Sequence, residues 1–131
     1  MWLLILTIVI LPMKGITKQH FKSTRVKFEL QGLVQIHHII PRQFRNHPVV
    51  KEFDLEDGQN FIFMPSELGK QRLNTIRPIH DGGHSKYNAF VGHHIENIYR
   101  KVPTDRREAE VLKLMLSLRR NLTTHSGIPW R

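Results

Sequence analysis

Ile36-His37-His38-Ile39-Ile40-Pro41 sets two adjacent histidines in a run of isoleucines closed by proline. Isoleucine favours an extended strand, and proline ends one. Successive side chains on a strand leave on opposite faces. His37 and His38 therefore serve different sides: one can bind a metal while the other meets a different target. About forty residues on, His80-Asp81-Gly82-Gly83-His84 offers two more histidines. Spaced four apart, they share a face if the segment is helical, and they stay close if it is a loop entering a helix. Gly82 and Gly83 weaken a plain helix and suit a tight turn instead. Three imidazole ligands plus one free imidazole is the equipment of a metal-assisted hydrolase.

Working outward, Val26, Phe28 and Leu30 alternate with Lys27 and Glu29, the pattern of a short strand. Phe61 to Met64 is a second apolar run, ended by Pro65. Between the two runs, Asn46 is placed to cap a short helix with Pro48 in its first turn and Val49, Val50 and Phe53 on its inner face. Asp54, Glu56 and Asp57 lack calcium-loop spacing and read as a solvated loop. Ser66 to Asn74 is polar, irregular or one helical turn. Tyr87, Phe90, Val91, His94, Ile95, Ile98 and Val102 recur at three- and four-residue steps and predict a helix over 85–101. Pro103 stops it. Thr104 is expected to cap a last helix over 105–122, with Ala109, Leu112, Met115, Leu116 and Leu118 on its apolar face. Periodicity alone gives a small α+β domain.

The 131 residues suffice for one domain. A net charge of +9 and a pI near 10.4 point to an anionic partner, nucleic acid or a membrane surface. Nucleic acid ranks first, because the basic residues accompany a candidate site. There is no cysteine, so disulfides and thiolate zinc sites are excluded. Residues 1–13 are almost wholly apolar. They suit the core of a secretory signal peptide but lack basic residues before it and a small-x-small cleavage site after it. Export is the expectation, a buried strand the alternative. No stable membrane association is expected beyond this segment. Residues 14–32 read as a basic connector, either an electrostatic arm along a phosphate backbone or a solvated linker. The site-bearing unit spans 33–102, and residues 103–131 supply a helix that packs on it.

Three blocks together resemble the AHH nucleases of the HNH, or His-Me finger, superfamily. They are His37 to Pro41, Asn60 to Pro65, and Arg77 to Asn88, within residues 33–95. The sequence departs where the family's alanine is Ile36, a packing position. The resemblance implies a ββα-metal core and a metal-dependent endonuclease acting on DNA, RNA or both. It implies His37, His80 and His84 as metal ligands and His38 as general base. Asn60, the middle letter of HNH, would tie the loop between the strands by side-chain to backbone bonds. The ligand set fits zinc, nickel or manganese, with magnesium usable at open positions. Arg77, Lys86 and Arg42 are candidate phosphate contacts, with a surface position the alternative for Arg77.

Two other classes compete. In a non-catalytic nucleic-acid-binding module the metal is structural and His38 is dispensable. In a secreted or membrane-associated basic protein the histidines bind metal without turnover.

Overall fold

A computed structural model describes residues 15–131. The apolar run 1–13, and with it the export expectation, lies outside the described residues. Elements follow in the order α1 (Lys18–Lys27), β1 (Val34–His38), β2 (Phe61–Pro65), α2 (Glu67–Arg72), α3 (Ser85–Lys101) and α4 (Arg107–Thr124). Short 3-10 turns lie at Arg42–Phe44, Gly58–Asn60 and Thr104–Arg106. The class is α+β, with a two-stranded antiparallel sheet and helices around it.

β1 and β2 pair in the register Val34↔Pro65, Ile36↔Phe63 and His38↔Phe61. β2 is buried along its whole length, as its unbroken apolar sequence requires. Its core includes Phe21 of α1, whose ring meets Phe61 and Phe63 edge-to-face at 5.5 and 5.2 Å between centroids. Tyr87, Val91, Ile95 and Ile98 form the buried stripe of α3, and Val111, Met115, Leu118 and Leu122 that of α4.

Two arginines are drawn into this core. Phe61 and Phe63 turn their carbonyls away from β1. Arg119 Nη2 donates to Phe61 O at 2.9 Å and to Gln59 O at 2.8 Å, and Arg77 Nη1 donates to Phe63 O at 2.8 Å. Buried carbonyls on an unpaired strand edge need such donors. Burial lowers both guanidinium pKa values, to about 9 for Arg77 and about 10 for Arg119.

Several expectations are corrected. The stretch read as a basic connector is largely helix α1. Thr17 starts it with a capping box in which His20 stands at the usual Glu or Gln position. The strand over 26–30 does not form: Val26 is helical and 57% exposed, and Glu29 takes a positive φ. Residues 46–53 make successive turns and no helix. The His47 ring, not Asn46, accepts a backbone bond there, from Val49 N. Ser66 caps α2, six residues long. Thr104 makes no side-chain cap bond; it begins a 3-10 turn ahead of α4. The face of α4 is rotated from the expected one, leaving Leu116 half exposed, because Arg119 takes a core position.

Candidate active site

His37 leaves β1 into the interior and is 3% exposed. His80 and His84 come to it from the loop that precedes α3. His80 N donates to Pro65 O at 2.8 Å, which pins that loop to the end of β2. His84 is the residue at which α3 begins. One nitrogen from each of the three rings lies within 4.8 Å of the other two. Their centroids are 4.9 to 5.2 Å apart.

The hydrogen bonds behind the rings fix which nitrogens are available. His80 Nδ1 donates to Gln35 Oε1 at 2.6 Å. His84 Nδ1 donates to Asn88 Oδ1 at 2.9 Å, and Asn88 Nδ2 donates in turn to Gln43 Oε1. Both neutral rings therefore keep a lone pair on Nε2. His37 Nε2 is buried and has no hydrogen-bond partner among the described residues. A buried imidazole nitrogen is costly unless something binds it. The orphaned atom and the two free lone pairs fit a divalent metal. Burial, then the neighbouring His80, His84 and His38, hold His37 well below the ordinary imidazole pKa. Burial and His84 lower His80. Neutral rings are the form that ligates.

His38 leaves the opposite face of β1 and packs edge-on to Phe61, 4.9 Å between centroids. Its Nε2 lies 3.0 Å from Glu56 Oε1. A carboxylate only accepts, so Nε2 carries the hydrogen and Nδ1 of the neutral ring keeps the lone pair. Burial lowers the pKa of His38, Glu56 opposes that shift, and Lys18 and Arg42 add to it. Arg42 Nε is 3.4 Å from the same Glu56 oxygen. The acidic loop read as solvated therefore joins the site through Glu56.

Asn60 is fully buried beneath this loop. Its Oδ1 accepts from Ile40 N at 2.8 Å, and its Nδ2 donates to Ile40 O and Leu55 O, both at 3.1 Å. Tyr87 OH adds a bond to Ile39 O at 2.5 Å. The chain following His38 is thus fixed from two sides.

Arg77 leaves the phosphate-binding set. It is 1% exposed, and its guanidinium faces the β2 carbonyls. Lys86 and Arg42 are exposed.

Gln35 and Asn88 were legible in retrospect, the first two residues before His37 on a strand, the second four after His84 on a helix. Trp130 carried no such signal. Its ring packs on His84 (4.8 Å), His37 (5.2 Å) and Tyr87 (5.3 Å). Its Nε1 donates to Ile79 O at 2.7 Å, and its carbonyl accepts from Tyr87 N in the first turn of α3. Arg131 pairs with Asp81 beside it.

A two-stranded hairpin followed by a helix, with three imidazoles converging between them, defines a small ββα protein with a potential metal centre. The chain belongs to the AHH family, described as a nuclease family of the HNH/ENDO VII superfamily with conserved AHH; the family model matches residues 20–122. Comparison with curated proteins and with solved structures returned no match. Family membership supports nuclease activity in general, with nucleic acid as the substrate class. Ile36 occupies the alanine position of the family triplet and is half-buried against the core, as a packing residue should be.

Proposed function

We propose that the chain is a metal-dependent endonuclease that hydrolyses phosphodiester bonds of DNA, RNA or both. The observation that carries the reading is that His37 and His38 leave opposite faces of β1 into different surroundings. His37 joins His80 and His84 around an orphaned nitrogen, while His38 holds Glu56 with one nitrogen and keeps a lone pair on the other. His37, His80 and His84 would hold the metal, with zinc, nickel, manganese or magnesium as candidates. When bound, such an ion supplies stabilisation of the phosphate charge and of the leaving oxygen.

The remaining steps belong to the chain. His38 Nδ1 takes the proton from the attacking water, since a neutral imidazole suits that transfer near neutral pH. The proton charge left on His38 is stabilised by Glu56. Asn60 is a positioning residue that keeps the segment after His38 from shifting. Arg42 and Lys86 are cations available to phosphate oxygens. Trp130 and Tyr87 wall the ligand cluster with aromatic surface, which holds the rings in place.

Digestion of plasmid and RNA by the purified protein, with a chelator and across a metal series, is the test. Cleavage that depends on metal is expected. Nucleic-acid binding without cleavage under every metal would leave a non-catalytic module with a structural metal as the better account.

A further inference from the structure

We propose that Lys18, Lys22 and Arg25 on α1 form a docking track for the phosphodiester backbone of the nucleic-acid substrate, leading outward from His38. This inference rests on the nuclease reading and adds a substrate surface outside the ββα core. The three cations are spaced four and three apart, so they form one stripe along the helix. That stripe runs beside Phe21, the buried residue that seats α1 on β2. Lys18 Nζ lies 6.0 Å from the centre of the Phe61 ring, and that ring is 4.9 Å from the His38 ring. The first cation of the stripe therefore neighbours the proposed base. Arg42 stands by it too, on the Glu56 carboxylate that holds His38.

Helix physics does not account for Lys18. The first turn of a helix favours acidic residues, and α1 has none there. A phosphate backbone accounts for it. The acids nearest the start of α1 are already engaged. Glu56 takes His38 and Arg42, while Asp57 accepts from Gly15 N and Gln59 N. The track is also held fast relative to the site. Gly58 N donates to Ile16 O at 2.5 Å, and Thr17 bridges to Asp57. A Cβ on Gly58 would fall 2.3 Å from Ile16 O, so the two backbones touch there. Seven residues of helix extend about 10 Å, enough to follow about three phosphates of one strand at about 3.4 Å of axial rise each.

The experiment measures binding of a labelled oligonucleotide to the full-length His38→Ala protein over a salt series. A Lys18→Gln/Lys22→Gln/Arg25→Gln triple should lower the slope of log K against log salt by about 2 to 3, at roughly 0.7–0.9 per phosphate contact. An Arg100→Gln/Lys101→Gln/Arg106→Gln triple removes the same charge around the far end of α3, about 24 Å of helix from His84. It should leave the slope nearly unchanged. Lys22→Gln alone, at an exposed position, should lower it by about 0.7–0.9 and guards against a folding defect in the triple. An unchanged slope in the α1 triple, or equal losses in both triples, overturns the track. So does a loss confined to anionic lipid vesicles, which would give the stripe a membrane partner. Cleavage by the parent protein is read separately. Cleavage with an unchanged slope sinks the track alone; a reduced slope without cleavage sinks the nuclease reading alone.

Discussion

His37 and His38 point to opposite faces of β1, so each can be replaced without removing the other's surroundings. His38→Ala is expected to retain metal, shown by calorimetry, and to lose single-turnover cleavage by roughly 10²–10⁴-fold, the usual contribution of general acid–base catalysis. His37→Ala should lose both. A His38→Ala protein that cuts like the parent would remove His38 as the base. Asn60 gives the second expectation at this scale. Truncation to alanine strands Ile40 N, Ile40 O and Leu55 O in a buried loop. Each buried unsatisfied group costs roughly 1–3 kcal/mol, so Asn60→Ala should destabilise by at least about 2 kcal/mol in chemical denaturation. An alanine variant as stable as the parent would mean that the loop does not depend on those bonds.

At the scale of the elements, α2 is seated directly on the backbone that precedes β1. Gly69 faces the Leu33 carbonyl so closely that an added Cβ would lie 1.7 Å from its oxygen. Ser66 Oγ caps α2 at Gly69 N and also donates to Gly32 O, tying the helix to the turn before β1. Gly69→Ala must therefore push α2 away from β1. Overpacking of this kind typically costs about 1–3 kcal/mol. The predicted result is a lower thermal midpoint with metal affinity nearly preserved, since no ligand lies on α2. A fall in metal affinity larger than the fall in stability would show that α2 supports the ligand loop directly, through Lys70 Nζ and its bond to Arg77 O.

For the whole molecule, stability should depend on metal and on pH through the same rings. A ligand at 100 times its Kd adds about 2.7 kcal/mol, so zinc, nickel or manganese should raise the parent's thermal midpoint. His84→Ala should respond much less, whereas His93→Ala, out on α3, should respond like the parent. The pH dependence follows from the lowered pKa values of His37, His80 and His38. In the unfolded chain these groups take up protons near pH 6.5; in the folded chain they do so only at lower pH. The unfolded state then binds more protons, so stability is full above about pH 6.5 and falls as pH drops toward the folded values. Thermal melts of chelator-treated protein from pH 8 to pH 4.5 should show that fall, and His37→Leu should flatten it. A parent midpoint constant across the range would contradict the buried neutral state of His37.

What the residues determined by themselves was the local part of this protein. Two short apolar runs bounded by turn residues seed the two strands, Phe61 to Pro65 over its whole length and the isoleucine run only in part: β1 begins earlier, at Val34, and ends at His38, so Ile39 to Pro41 lie beyond it. Tyr87 to Ile98 repeats with helical period and forms α3 between the bounds expected. The order His37-His38, Asn60, His80-His84 carried the family, because a strand, a turn and a helix start need few long-range contacts to take shape. Tertiary structure decided whatever depends on which surfaces meet. Arg77 and Arg119 look like surface cations in sequence, yet the free edge of β2 needs donors, and desolvated carbonyls draw both guanidiniums inward. Glu56 lies eighteen residues from His38 and reaches it only because the loop folds back. Trp130 closes the ligand cluster from 46 residues beyond His84, a separation across which no periodicity operates. Alternation at Val26 to Leu30 was overruled because Thr17 and His20 cap a helix ahead of it and Phe21 has β2 to pack on.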